Sequence, residues 1–288
     1  MEAVRLFHAC APEARSHGGT SPSRSARMRG FARGERVYYA GDATRPGSNA
    51  QFQAVDARIV AHAPRTLDAA QAAALPLVSL TAWELLFQRM PFDSAHGGQG
   101  RTLLVIAGAG GVGSMAIQLA RRAGFRVIAT ASRPETAAWC RQLGAAETID
   151  HRQPLAPQLA ALGLAQVDAA INLADTDRYW EALGELVAPQ GHVGLVVEPR
   201  GPLPLGGPYK AKSIGIHWES MFTRTRTGAA DLAAQGRILA RVAQRVDAGE
   251  LRGIARDVLS PISAANLREA HRRIEAGSSI GKLVLAGW

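Results

Sequence analysis

Cysteine is almost absent: Cys10 and Cys140 are the only two in 288 residues. Two thiols cannot build a disulfide framework, and no secretory signal is visible, so a reducing cytoplasm is the expected setting. Lysine is nearly as scarce, found only at 210, 212 and 282, so the formal charge of +9 rests on scattered arginines. Scattered arginine is not a concentrated basic face, which argues against nucleic-acid binding as a main role. No uninterrupted apolar run reaches the length of a membrane helix, and no membrane role is expected. Internal repeats are also missing.

Residues 1–30 lack any helical or strand period, and Gly, Ser, Pro and Arg dominate their second half. They read as a disordered leader, with Met28 as an alternative start. From Glu35 the pattern changes. "RVYYA" and "NAQFQAV" read as strands joined by the turn-rich "GDATRPGSN". "LDAAQAAAL" opens a helix that Asp68 can cap, with Gln71 completing a capping box. Pro76 ends that helix, and "LVSLTAWELLFQRM" continues as a second, mostly buried one.

From residue 102 strands and helices alternate. The strands are "TLLVIA", "RVIATA", "ETID", "VDAAINLA", "HVGLVV" and "SIGIHW"; helices are expected near 111–123, 134–143, 154–162 and 177–187. Such alternation predicts an α/β fold, a parallel sheet with crossover helices. A long helix, a strand, a helix and the last strand "GKLVLAG" follow after 228.

Gly108, Gly110 and Gly113 form G-x-G-x-x-G between an apolar strand and a helix, the context that pattern needs for dinucleotide binding. Gly108 would turn the chain sharply off the strand. Gly110 and Gly111 would let the backbone approach a pyrophosphate, and Gly113 would let the helix pack close to the sheet. Val112, Ala116, Leu119 and Ala123 would fall on one face of that helix, with Gln118, Arg121 and Arg122 on the other. The free amides at the helix start favour an anion. The second strand ends in Ser132 and Arg133, with no acid until Glu135. An acid there would repel a 2′-phosphate; a hydroxyl and a guanidinium would bind it, so the expected cofactor is NADP(H).

"AGAGGVGSMAIQLARRAGFRVIATASRPE", with "LGA" and "TIDH", resembles the medium-chain dehydrogenase/reductase superfamily. "AAALPLVSLTAWELLF", "KSIGIHWESMFTR" and "AHRRIEAGSSIGKLVLAGW" are similar to its zinc-type alcohol dehydrogenase-like branch, near the quinone oxidoreductases. The resemblance implies a Rossmann doubly wound parallel sheet over 89–228. It also implies a partial GroES-like β-barrel domain over 31–88 and 229–288, with the cofactor in the cleft between them. Gly111 and Val112 would then meet the pyrophosphate, and Ser132 and Arg133 the 2′-phosphate. His151 would flank the adenine, Asn172 would lie on the adenosine side, and Thr81 would approach the nicotinamide. The chemistry implied is hydride transfer to a small-molecule carbonyl compound, such as a quinone or an enone. No catalytic residue is assigned; Tyr38, Tyr39 and His217 are proton-donor candidates.

Two departures accompany the resemblance. The cysteine and histidine ligands of zinc alcohol dehydrogenases are not found, so no metal site is expected; His8, Cys10 and His17 could cluster only within the disordered leader, where a site is not expected. The strands with which relatives begin are also missing. That reads as an N-terminal truncation, and leaves a nucleotide-binding fragment without turnover as an alternative, with a zinc-dependent alcohol dehydrogenase activity as another. Relatives commonly pair through the Rossmann sheet, so a homodimer is expected.

Overall fold

The computed structural model describes residues 30–45, 47, 50 and 52–287. Expectations for residues 1–29, including His8, Cys10 and His17, lie outside the described residues.

In chain order, β1 (Val37–Tyr38) and β2 (Ala61–His62) precede α1 (Ala69–Ala73) and α2 (Pro76–Glu84). Then come β3 (Thr102–Ile106), α3 (Gly111–Arg122), β4 (Arg126–Thr130), α4 (Pro134–Leu143) and β5 (Glu147–Ile149). They are followed by α5 (Leu155–Ala161), β6 (Val167–Asn172), α6 (Thr176–Leu186), β7 (Val187–Leu195), α7 (Pro208–Ala211) and β8 (Gly215–Trp218). The last elements are α8 (Thr223–Thr227), α9 (Ala234–Asp247), β9 (Ala255–Leu259), α10 (Ala264–Glu275) and β10 (Lys282–Leu285).

The chain forms two compact units. The second holds Thr81–Met221 and Ile280–Lys282. Its six strands form one sheet in the order β5-β4-β3-β6-β7-β8, with every neighbouring pair parallel. Counting from β3, that is the doubly wound order 3-2-1-4-5-6, which places a crevice where the strand order reverses. After Thr102 its central strand β3 is continuously apolar, the pattern of a sheet covered by helices on both faces. All five residues of β3 are buried. One cluster joins Leu104, Ile128 and Val193 of the sheet to Trp180 and Leu183 of α6.

The expected strands and helices of this unit all form. β7 starts earlier than "HVGLVV" because Pro189, Gln190 and Gly191 are carried in the strand as an irregularity. Gln190 takes a positive φ of 62° and donates its amide to Lys212 O at 2.7 Å. Such a stretch looks like a turn in sequence.

The first unit holds the described residues up to Leu80, together with Phe222–Ser279 and those from Leu283 onward. Its strands pair in twos, β1 with β2 and β9 with β10. β1 does form within "RVYYA", but its partner is Ala61–His62, and Phe52–Val55 lie outside any strand. The apolar run Ile59–Ala61 is buried, while Phe52 is 56% exposed and Gln53 and Val55 are only half-buried, so Ala61 rather than Phe52–Val55 takes the pairing position beside Tyr38. Asp68 caps α1 by accepting from Gln71 N at 2.7 Å. The box is not completed, because the Gln71 side chain donates instead to Ala255 O at 3.3 Å. Pro76 opens α2 as its first residue, so two helices stand where one would otherwise run on.

Candidate nucleotide site

The glycine-rich turn joins β3 to α3. Its sharp bend falls on Ala107, whose φ is 62°, and not on Gly108 as expected. Ala107 N donates to Thr130 Oγ1 at 2.9 Å, and its carbonyl accepts from Gly110 N at 3.2 Å, which closes the turn. Gly108 serves packing instead: a Cβ there would sit 2.7 Å from Ala129 Cβ and 3.2 Å from Cys140 Sγ. Gly113 must lack a side chain, because its Cβ would fall 2.5 Å from Ala107 O and 2.6 Å from Gly108 O. Gly110 is different. A Cβ there would meet only Ala107 O at 3.5 Å, so its bareness is not required by the protein's own packing.

The first helical bond of α3 is Ser114 N to Gly110 O, at 2.8 Å. The amides of Gly111, Val112 and Gly113 therefore have no partner within the helix, and Gly110 has no side chain to cap them. Three such amides with the helix dipole behind them fit a pyrophosphate. A neighbouring segment frames the turn: Gly281 bridges to Gly110, and its amide donates to Ala109 O at 2.9 Å.

The polar face expected of α3 is narrower than its sequence suggests. Arg121 and Arg122 are exposed, but Gln118 is buried, donating to Ser114 O at 3.1 Å. α4 packs over this side, where Trp139 Nε1 donates to Ser114 Oγ at 2.8 Å. Cys140 lies beneath, buried, with its thiol pushed up to about 12 by desolvation, which makes it inert.

At the end of β4, Ser132 and Arg133 are both half-buried. Arg133 precedes α4, and its Nε lies 2.8 Å from Glu135 Oε1. A second guanidinium stands here that sequence reasoning missed. Arg152 Nη2 donates to Ser132 O at 2.8 Å, and the same group pairs with Asp150 at 2.7 Å. That pairing holds the half-buried Asp150 carboxyl down at about 2. The signal lay in "TIDHR": Arg152 directly follows His151, and β5 neighbours β4 in the sheet.

His151 occupies the turn after β5, half-buried, and its carbonyl accepts from Arg178 Nη2 at 3.1 Å. Desolvation lowers its pKa, so the ring is neutral at pH 7. Asn172 ends β6 fully buried, and its side chain closes a turn. Its Oδ1 accepts from Ala174 N at 3.0 Å and its Nδ2 donates to Asp175 O at 3.1 Å. Thr81 is buried within α2. Ser132, Arg133 and His151 thus come together on the rim of β4 and β5, the turn 107–113 lies at the end of β3, and Asn172 ends the next strand.

The model of the family described as zinc-binding dehydrogenase matches residues 111–232. A zinc-type alcohol dehydrogenase-like protein of Staphylococcus aureus is 37% identical over 258 residues, spanning 88% of this chain and 76% of that protein. This chain belongs to the medium-chain dehydrogenase/reductase superfamily. Within that superfamily of oxidoreductases it joins the zinc-type alcohol dehydrogenase-like branch. A Rhizobium etli protein assigned to the zinc-dependent alcohol dehydrogenases superposes with a TM-score of 0.83 at 46% identity, covering 90% of this chain and 75% of that one. Mycobacterial Rv1454c, solved with NADPH, gives 0.75 at 27% identity over 92% of this chain and 78% of its own. Despite the family's name, the described residues contain no group of three or more His, Cys, Asp or Glu arranged to hold a metal ion.

Proposed function

We propose that this chain is an NADPH-dependent reductase of quinones, enones or similarly activated carbonyl compounds. The observation that carries the reading is the pairing of a bare helix start with a cationic strand end. The amides of Gly111, Val112 and Gly113 would hold the pyrophosphate. Ser132, Arg133 and Arg152 would take the 2′-phosphate, where an NAD enzyme carries an acid. His151 would border the adenine, and Asn172, whose side chain closes the turn after β6, would lie on the adenosine side. Thr81 would stand toward the nicotinamide end. NADPH, when bound, supplies the hydride; the protein's task is to orient it and keep water away. The NADPH complex of Rv1454c supports the choice of nucleotide for a relative of this fold. A quinone oxidoreductase of Pseudomonas syringae, 25% identical with a TM-score of 0.74, supports the substrate class. A homodimer belongs to the same reading, and sedimentation of the purified chain tests it.

The decisive measurement is a fluorescence titration with NADPH and NADH. NADPH should bind more tightly, and Arg133→Glu should weaken it by about 2 kcal/mol. Equal affinity for the two nucleotides in the wild type would overturn the assignment. Oxidation of NADPH by a simple quinone then tests turnover. Tight binding without oxidation would make the chain a nucleotide-binding protein and remove the reductase reading.

A further inference from the structure

α2 ends at Glu84, and the next turn, Leu85–Arg89, is wound as a π-helix, with Met90 N donating to Leu85 O at 3.0 Å. In a regular α-helix, residues five apart point in well-separated directions; the wider π turn brings them toward one line. Arg89 is thereby swung over Glu84, with Nη2 3.3 Å from Glu84 Oε2. Its Nε donates to Glu219 Oε2 at 2.9 Å. Both carboxyl side chains are completely buried, while Arg89 remains 30% exposed. Two carboxylates thus share one guanidinium away from water.

Fully ionised, these three groups carry one net negative charge, which burial penalises. Glu219 Oε1 is buried with no donor to satisfy it. Burial first, and the adjacent Glu84 second, push the Glu219 carboxyl up to about 8, against the pull of Arg89. The other titratable groups on the strands beside it are His192 of β7 and His217 of β8. Their rings hold each other at 3.0 Å, and burial lowers both, so they stay neutral from pH 7 upward. The carboxyl pair is therefore the group that gains or loses a proton near neutral and mildly alkaline pH.

The position of this pair matters. Glu219 directly follows β8, and its amide donates to Leu195 O, the last residue of β7, at 2.9 Å. It stands at the carboxyl ends of the parallel strands, outside which ligands of such sheets bind. With the pyrophosphate at the end of β3 and the adenosine ribose at the end of β4, the other half of a dinucleotide runs toward β6, β7 and β8. We infer that Glu84, Arg89 and Glu219 form a buried one-proton cluster behind the nicotinamide, whose charge sets the relative affinity for oxidised and reduced nucleotide. This rests on the NADP(H) reading above. The oxidised ring carries a positive charge and the reduced ring none. The protonated cluster is neutral and leaves the two forms alike. The deprotonated cluster is negative and favours the oxidised form, so binding NADP+ expels the proton. These are positioning residues; none of them is assigned contact with substrate.

The test is a pair of binding titrations of the full chain, with NADPH and with NADP+, at pH 6.5 and pH 9 and one ionic strength. Ionisation of the 2′-phosphate is common to both nucleotides and cancels in the ratio of their dissociation constants. In the wild type that ratio should move toward NADP+ by on the order of fivefold as pH rises. Glu219→Gln should abolish the movement, because it leaves a single carboxylate paired with Arg89 at every pH. Glu84→Gln should do the same by a different route. A ratio in the wild type that is unchanged between the two pH values overturns the inference, as does a shift that survives in both variants. Failure of either nucleotide to bind at all overturns instead the NADP(H) reading on which it stands.

Discussion

The two units are built on different principles. In the second, six parallel strands share one sheet and a broad cluster in which Leu104, Val193, Trp180 and Leu183 are all almost wholly buried. In the first, strands of two to five residues pair only in twos, and buried apolar side chains gather in small groups. Tyr39, Ile59, Val60 and Leu232 form one; Ala270, Leu283 and Leu285 form another. β9 presents Arg256, Asp257 and Val258 to solvent in succession. Two-stranded pairs are marginal by themselves. The first unit therefore leans on single polar anchors, such as Tyr38 Oη donating to Leu239 O at 2.7 Å, where the second leans on area. Its anchoring phenol is driven up in pKa by burial and stays protonated.

The sharpest way to break this comparison is at the turn itself. Gly113→Ala places a Cβ against two backbone oxygens that cannot move aside. It should cost about 3 kcal/mol in urea unfolding and remove nucleotide binding. Gly110→Ala meets no such wall, so it should leave stability nearly unchanged while weakening NADPH in a titration. Equal loss of stability in the two variants would mean that Gly110 is structural, and that its bareness says nothing of a ligand.

Next in size is a matched pair of core truncations. Leu183→Ala opens a void in the large cluster, where neighbours on several elements cannot all follow, and should cost about 4 kcal/mol. Leu283→Ala lies in a three-residue group, 8% exposed, and should cost about 2 kcal/mol because its surroundings can close in. Unfolding followed by fluorescence and by circular dichroism would show whether the units melt together. A larger loss at Leu283 than at Leu183 would reverse the argument.

This contrast also decides what could be read from sequence. The second unit was legible because its information is local. Apolar runs, glycine punctuation and alternating periods each specify an element that the sheet then orders. Asp68, Pro76 and the G-x-G-x-x-G spacing were legible for the same reason. Misreadings arose where a neighbour distant in sequence decided the outcome. Gln118 looks polar in its helix but is covered by α4. "NAQFQAV" looks like a strand, but Ala61–His62 takes the place beside β1. Glycine is the usual residue at positive φ, so the sequence points to Gly108 for the bend, whereas Thr130 Oγ1 holds Ala107 there. Arg152 was missed because reach across β4 and β5 is a property of the folded sheet. The meeting of Arg89 with Glu84 depends on a π turn that no periodicity announces.

Carboxylates in the two units should respond to pH with opposite signs. Glu219 keeps its proton up to about 8 when folded but releases it near 4.5 when unfolded. Between those values the folded state binds more protons, so stability falls as pH rises from 5 to 8. Glu269 is the reverse case: half-buried on α10, it is held down at about 2 by Arg272 and Arg273. Its contribution is present above its unfolded pKa and fades as pH falls toward 2, and solvent screening keeps it small. Urea midpoints between pH 5.5 and 8.5 should therefore decline in the wild type and flatten in Glu219→Gln. Glu269→Gln should leave that slope alone. A slope that persists in Glu219→Gln would place the buried proton elsewhere.

The smallest expected effect separates the units most finely, because it uses one kind of bond in both. Asp68 caps α1 and Asp175 caps α6, each by accepting from the amide three residues on. Removal of such a cap costs about 1 kcal/mol. The helices differ in what remains. α1 has five residues, and of these only Ala72 and Ala73 are buried; α6 has eleven, with Tyr179, Trp180, Leu183 and Leu186 packed into the large cluster. Asp175 also pairs with Arg200 at 2.7 Å, but both partners are exposed and the pair adds little. Asp68→Ala should therefore fray α1 as a whole, seen as fast amide exchange from Ala69 to Ala73. Asp175→Ala should speed exchange only in the first turn of α6, at a similar cost in global stability. If α6 lost protection along its whole length, burial would not be what holds the second unit's helices, and the contrast between area and anchors would fail at its simplest point.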